Sequence, residues 1–321
     1  MSVEQSQAVT STSLSVALVG DSVLDDHYWL YRPQEDVREQ TERTLRLAYP
    51  SRDVQVLNFA VDESTVKCVL RGRRPAAHYR QGRERARMER YPMGEDGVVR
   101  PLRLLRDAKP SHVVLSVGGN DARIRFLQSR DPDVITQLMV TDGLVANLRR
   151  LVETIRTEIT PNIIIVYVFM PQFKLVPLLS FLPPASILQH LLVNFSKFFI
   201  ELANEFCLPI IDLSRTFDPT KKSHYGSTPI EPSNVSGQFI ADLIAEARTT
   251  PLARYRFNAP RWTVLARFRF GEETGGKVFS GVGDEFKLQD LSPGVGFSYE
   301  HELRVFLDLK RAQKPSSCTI G

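Results

Sequence analysis

Three short segments combine glycine with side chains that can attack or stabilise an acyl group, and each directly follows an apolar run. They are Gly20-Asp21-Ser22, Asn58-Phe59-Ala60 and Gly118-Gly119-Asn120-Asp121. A serine on a tight turn between strand and helix is exposed, so its hydroxyl can act as a nucleophile. An asparagine amide or backbone N–H at such a turn can donate to the oxyanion of an attacked carbonyl. Taken singly, each segment is equally typical of an ordinary turn.

The apolar runs before these segments are the elements that must position them. Five runs are typical of buried parallel strands, namely Leu14–Val19, Val54–Phe59, His112–Val117, Ile163–Phe169 and Pro209–Leu213. Helical patterns alternate with them, over Asp36–Ala48, over a face of Leu144, Leu148, Leu151, Ile155 and Ile159, over Ile187–Phe206, and over Ser233–Ala247 with Ser233 as N-cap. This alternation predicts an α/β fold with a doubly wound, mainly parallel five-stranded, flavodoxin-like sheet. Ligands of such sheets bind at the carboxyl ends of the strands, where the three segments lie.

In this order and at strand ends, the three segments resemble the Gly-Asp-Ser, Asn-x-Gly and Gly-x-Asn-Asp blocks of the SGNH/GDSL hydrolase superfamily. The resemblance covers roughly residues 14–247 and implies ester hydrolysis through an acyl-enzyme on Ser22. It also implies an oxyanion hole built from the N–H groups of Ser22 and Ala60 and the side chain of Asn120. Ala60 replaces the family's glycine but keeps the N–H donor. The supporting residues would be Gly20, Asp21, Asn58, Gly118, Gly119 and Asp121.

The fourth block of the family, Asp-x-x-His-Pro-Ser, is altered in this chain. Thr228 stands in the aspartate position and Glu231 in the histidine position of the segment Thr228-Pro229-Ile230-Glu231-Pro232-Ser233. The Ile-Glu-Pro-Ser form resembles a subset of the superfamily. A serine hydroxyl needs a base, and glutamate is a weaker base than histidine unless burial raises its pKa. Two bases stay open: Glu231, otherwise a helix cap or arginine partner, and His224, otherwise a solvent-facing loop residue.

The missing histidine leaves two classes of function open. One is a serine ester hydrolase acting on a small ester or acylated substrate, with no cofactor and no metal. The other is an inactive SGNH-fold protein that serves as a structural or binding subunit. Three segments could then contact a protein partner: the apolar 173–192, the insertion 71–106 with eleven arginines against four acids, and the extension 250–321. Nucleic-acid binding is disfavoured, because the basic insertion lacks the repeated aromatics of a single-strand binder.

The predicted organisation is a flexible N-terminus over 1–13, an SGNH hydrolase-like domain over 14–249 and a β-rich extension over 250–321. Period-two alternation predicts extension strands around 262–270 and 303–310, with glycine-rich turns between them. The N-terminus lacks the apolar core of a secretory signal and three separated cysteines suit a reducing compartment, so we expect a cytoplasmic protein. Prolines interrupt the uncharged stretch 175–196, which therefore predicts no transmembrane segment. Asp25-Asp26-His27 is not expected to bind metal, because the three residues are adjacent.

Overall fold

The computed structural model describes residues 13–30, 32–75, 91–129, 131–167, 185–213, 216–228, 230–249, 261–270, 273–282 and 285–290. The chain divides into two compact units, residues 1–250 and residues 251–321. In the described part of the chain, no helix is long and apolar enough to cross a membrane.

The first unit is built on a parallel sheet. Its strands are β1 Leu14–Gly20, β2 Val54–Asn58, β3 His112–Ser116, β4 Ile163–Tyr167 and β5 Ile210–Asp212. They lie in the order β2-β1-β3-β4-β5, and each neighbouring pair is parallel. This is the flavodoxin-like order, so the predicted fold class is confirmed.

Eight α-helices of the described residues surround this sheet. They are α1 Val37–Ala48, α2 Val66–Arg71, α3 Pro101–Ala108, α4 Gly119–Gln128, α5 Pro132–Thr141, α6 Leu144–Glu158, α7 Ala185–Phe206 and α8 Asn234–Thr249. The predicted cap at Ser233 is present, since Ser233 Oγ accepts from the Ser236 N–H at 3.2 Å. Asp36 caps α1, because its side chain accepts from the Glu39 N–H at 2.9 Å. Both caps satisfy N–H groups that a helix start leaves unpaired.

The sheet is buried on both faces because successive strand residues point to opposite sides. On β3, Val113 and Leu115 pack with the buried residues of α6 and α7, whereas Val114 packs with those of α1 and α8. Buried β-branched residues on both faces explain why these strands appear in the sequence as continuous apolar runs.

The second unit contains three antiparallel strands, β6 Arg261–Phe270, β7 Glu273–Val282 and β8 Glu285–Asp290. The period-two pattern around 262–270 thus corresponds to a strand. Gly275, Gly276 and Gly281, which we expected in turns, lie inside β7, where Gly275 pairs with Phe268. The expected strand over 303–310, the middle of the arginine-rich insertion (76–90) and residues 173–184 lie outside the described residues.

Two glycines permit close approaches at the carboxyl edge of the sheet, Gly20 between β1 and β3 and Gly118 between the start of α4 and helix α7. Gly20 has a φ of +148°, and a Cβ at this position would lie 1.7 Å from the carbonyl oxygen of Ser116. Gly118 has a φ of +117°, and its Cβ would lie 3.1 Å from the rings of Phe195 and Phe199. A side chain at Gly20 would therefore push apart the two strands that carry the first and third segments.

Replacing Gly20 by alanine should destabilise the protein far more than replacing Gly97. Gly97 also has a positive φ, +71°, but nothing lies within 4 Å of a Cβ there, so Gly97→Ala adds only backbone strain. We expect Gly20→Ala to lower the free energy of unfolding by at least about 2 kcal/mol more than Gly97→Ala, measured by urea denaturation. Equal losses in the two variants would contradict the close approach at Ser116.

Candidate active site

Ser22 lies on a single helical turn directly after β1. The carbonyl of Asp21 accepts from the N–H groups of Leu24 at 3.1 Å and Asp25 at 3.0 Å, and Asp21 Oδ1 accepts from the Val23 N–H at 3.2 Å. These bonds fix the turn, and Ser22 stays half-buried at the carboxyl edge of the sheet. This is the edge where ligands of doubly wound sheets bind.

The side chain next to Ser22 is that of Glu231. Glu231 is 5% exposed, and the Ser22 hydroxyl lies close enough to its carboxylate to lower the pKa of Glu231 by hydrogen bonding. Its buried Oε2 atom has no hydrogen-bond partner among the described residues. Of the two bases that the sequence left open, Glu231 is the one in contact with the serine.

A tight hairpin after β5 carries Glu231 to this position. Tyr225 and Pro232 form an antiparallel bridge, and the Gly226 N–H donates to the Glu231 carbonyl at 2.9 Å. The hairpin lies against the turn after Ser22, because the Ser227 N–H donates to the Trp29 carbonyl at 2.8 Å. Position 226 has no room for a side chain, since a Cβ there would lie 2.6 Å from the Trp29 oxygen.

Burial makes the carboxyl groups of this site hard to ionise. It raises the pKa of Glu231 well above its ordinary value, and the charges of Asp62 and Asp21 raise it further, against the Ser22 hydrogen bond and the charge of Arg123. Burial likewise raises the pKa of Asp21 to about 7 and that of Asp121 to about 6. A carboxyl group whose pKa lies above neutrality holds its proton at neutral pH. Any raised pKa also makes the carboxylate a stronger base once it is ionised.

Asp62 and Arg123 were not identified from the sequence. Asp62 lies two residues after Ala60 on the loop that follows β2, and Arg123 lies one turn after Asn120 on α4. Their closeness in sequence to Ala60 and Asn120 could have indicated them. The loop after β2 and the start of α4 both lie at the carboxyl edge of the sheet.

Asn58 connects the turn that carries Ser22 to the loop that carries Ala60 through two hydrogen bonds. Asn58 Nδ2 donates to the Leu24 carbonyl at 3.0 Å, and Asn58 Oδ1 accepts from the Ala60 N–H at 2.9 Å. The Ala60 N–H, expected in the oxyanion hole, therefore already has a partner in this structure. The non-glycine residues described with positive φ are Glu63, Lys109 and Cys207, so Ala60 fills the glycine position without backbone strain.

The third segment begins α4 and is bonded to the loop after β2. Asn120 Nδ2 donates to the Ser64 carbonyl at 3.2 Å, and Asp121 Oδ2 accepts from the Val66 N–H at 3.0 Å. A primary amide has two N–H groups, so Asn120 retains one donor beyond this bond. Gly118 is the N-cap of α4, with Gly119 as its first residue.

His224 is part of the packing beneath the hairpin. It is buried, its Nδ1 accepts from the Asp218 N–H at 2.9 Å, and its ring lies edge-on to Phe217 and Phe239. The expectation of a solvent-facing loop residue was wrong, because these aromatic contacts enclose the ring. Thr228, in the position of the family's aspartate, has a buried Oγ1 without a hydrogen-bond partner among the described residues.

Asp25, Asp26 and His27 bind three separate groups. Asp25 Oδ2 accepts from the Asp62 N–H at 2.9 Å, Asp26 Oδ1 accepts from the Val37 N–H at 3.1 Å, and His27 Nδ1 lies 3.3 Å from Asp36. Over the described part of the chain, no cluster of three His, Cys, Asp or Glu side chains could hold a metal ion.

Similar solved structures include lipases and acylhydrolases. The lipase Lip_vut3 from a goat rumen metagenome has a TM-score of 0.48 at 14% identity, over 73% of this chain and 97% of its own. The lipase/acylhydrolase from Enterococcus faecalis has a TM-score of 0.46 at 18% identity, over 73% and 94%. A GDSL-like lipase from Parabacteroides merdae has a TM-score of 0.46 at 16% identity, over 73% and 95%.

No family model matches this chain. No curated protein matches it either.

The raised pKa of Asp21 predicts that stability falls as pH rises. The folded protein holds a proton on Asp21 up to about pH 7, whereas the unfolded chain releases it near pH 4. This contribution to stability is therefore complete below about pH 4 and lost as pH rises through 7. Asp21→Asn should make the pH dependence of unfolding shallower by about 1.4 kcal/mol per pH unit between pH 5 and 6.5, measured by urea titration.

A matched control for this titration is Asp96→Asn. The hydrogen bond from Arg100 holds the pKa of the exposed Asp96 at about 2, so its titration lies below the measured window. The Asp96 variant should keep the wild-type slope. An Asp21→Asn slope equal to that of wild type would contradict the buried, protonated Asp21.

Proposed function

We propose that this protein is a serine ester hydrolase in which Ser22 is the nucleophile and Glu231 replaces histidine as the base. The observation that carries the proposal is the position of the Ser22 hydroxyl beside the buried carboxylate of Glu231, where it lowers the pKa of that carboxyl group by hydrogen bonding. A nucleophile within hydrogen-bond reach of a base is the arrangement that covalent catalysis requires.

The proposed reaction has two steps. In the first, ionised Glu231 takes the Ser22 proton while Oγ bonds to the ester carbon, and the proton then passes to the departing alkoxide, which leaves as an alcohol. In the second, Glu231 takes a proton from water, whose oxygen attacks the acyl-enzyme. The acyl–Oγ bond breaks, the proton returns to Ser22, and a carboxylic acid is released.

Donors for the oxyanion would come from the first and third segments. The backbone N–H of Ser22 and the second amide N–H of Asn120 are proposed to bind the developing negative charge. Ala60 could contribute only by sharing its N–H with Asn58, to which it already donates at 2.9 Å. Asn58 is therefore proposed to hold the serine turn and the Ala60 loop together.

The charge of the base accounts for Thr228 in the aspartate position. A histidine becomes a cation when it takes the serine proton, and a neighbouring carboxylate stabilises that cation. A glutamate becomes neutral when it takes the same proton, so it needs no third, charged residue. The paired replacement of Asp by Thr and of His by Glu in this block is consistent with a working Ser–Glu pair.

A fluorophosphonate probe separates an active hydrolase from an inactive binding subunit. We expect the folded wild-type protein to be labelled and Ser22→Ala not to be, because the probe reacts only with an activated serine. Ser227→Ala is the matched control: it removes an exposed hydroxyl from the Glu231 hairpin and should keep the label. Absence of label on folded wild type would favour the inactive binding subunit.

Replacing the base should abolish turnover without unfolding the protein. Glu231→Gln keeps the size of the buried side chain, so we expect ester hydrolysis to fall by at least about a hundredfold with little change in the thermal midpoint. His224→Asn, which keeps an acceptor for the Asp218 N–H, should retain activity. Activity that survives Glu231→Gln but disappears in His224→Asn would transfer the role of base to His224.

A further inference from the structure

Arg123 places a positive charge beside the proposed reacting pair. It lies three residues after Asn120 on α4, so the two side chains share one helix face. The first turn of this helix is fixed against the loop after β2 by the hydrogen bonds of Asn120 to Ser64 and of Asp121 to Val66. The Arg123 charge acts on both Glu231 and Asp21.

The guanidinium of Arg123 is only weakly engaged by protein carboxylates. Its side chain is 32% exposed, and its ion pair with Glu63 Oε1 is long, at 3.8 Å. Glu63 is held more closely by Arg73, whose Nη2 lies 2.6 Å from Oε2 and whose side chain is 19% exposed. A guanidinium has five N–H donors, so Arg123 has capacity for a further acceptor.

The carboxyl groups around Arg123 leave its charge poorly balanced. Burial raises the pKa of Glu231 well above its ordinary value and the pKa of Asp21 to about 7, which limits the negative charge that these two groups carry near pH 7. A partly exposed cation one helical turn after Asn120 is a feature that a neutral ester would not use.

We propose that the ester hydrolysed at this site carries a carboxylate and that Arg123 binds it, an inference that rests on the proposed function. A guanidinium binds a carboxylate through paired, charge-assisted hydrogen bonds, which would also orient the ester toward Ser22. A single negative charge suits the site better than a phosphate dianion, because one guanidinium supplies a single positive charge. The substrate class is thus a monoester of a dicarboxylic acid.

The test compares acid and neutral esters of matched chain length. Monoethyl succinate, glutarate and adipate are paired with ethyl butanoate, pentanoate and hexanoate, and kcat/KM is measured from ethanol release. We expect at least one acid to exceed its neutral partner by about tenfold or more, the size of a charge-assisted hydrogen bond. Arg123→Gln should bring that ratio close to one, and Arg123→Lys should retain part of it.

The ratio of kcat/KM for an acid ester to kcat/KM for its neutral partner separates carboxylate binding from the other effects of Arg123→Gln. Loss of Arg123 also alters the pKa of Glu231, but that change affects both members of a pair equally. Arg149→Gln is the matched control, because it removes an exposed arginine that pairs with Glu205 on another face, and it should keep the wild-type ratio. A wild-type ratio of one or below for all three pairs, or a ratio unchanged in Arg123→Gln, would overturn the inference while hydrolysis stands.

Failure of hydrolysis would be distinguishable from failure of this inference. If no ethyl ester is turned over, calorimetric binding of the three acid monoesters to wild type and Arg123→Gln decides the matter. Binding that is lost in Arg123→Gln would support carboxylate recognition and contradict the proposed hydrolase. Binding that is absent, or equal in both proteins, would overturn the inference as well.

Discussion

The hydrogen bond between the Ser22 hydroxyl and the buried Glu231 carboxylate is the interaction on which the organisation of the site depends. Burying an ionised carboxylate is costly unless it is paired or protonated. Here the Ser22 hydroxyl stabilises the ionised Glu231 by hydrogen bonding, and the Oε2 atom of Glu231 has no partner among the described residues. The low polarity that raises the Glu231 pKa is also what would make the ionised carboxylate basic enough to deprotonate a serine. The cost of burial and the proposed catalytic strength therefore have the same origin.

Backbone hydrogen bonds connect the loops that carry the two partners. The Val61 N–H donates to the Gly20 carbonyl at 3.0 Å, and the Asp21 N–H donates to the Ser116 carbonyl at 3.0 Å, so the loops after β1, β2 and β3 are bonded in series. The hairpin of Glu231 adds to this series through the Trp29 carbonyl. Such rigid support is what a reacting pair needs, because small displacements of the nucleophile greatly reduce the rate.

The sequence predicted the strands and helices because buried positions recur along each element, so apolar residues recur at the same spacing in the sequence. The strands appeared as apolar runs because both sheet faces are covered. Ser22 and Asn120 could be placed at the carboxyl edge of the sheet because they follow such runs. The choice between Glu231 and His224 could not be made, because the path of a loop is set by individual hydrogen bonds such as that from Ser227 to Trp29. Asp62 and Arg123 are single polar residues without a pattern, and the glycines of β7 were interpreted as turn formers.

The pH dependence of fluorophosphonate inactivation tests the Ser22–Glu231 pair most directly, because it reports the ionisation of the base without a leaving-group step. If Glu231 is the base, its raised pKa predicts a second-order rate constant that increases with pH from 6 upward, by up to about tenfold per pH unit until the carboxyl group is ionised. The same measurement on Glu231→Gln should give a slow, nearly pH-independent rate. A wild-type rate constant that is flat from pH 6 to 9, or a Glu231→Gln profile that matches wild type, would contradict the proposed pair.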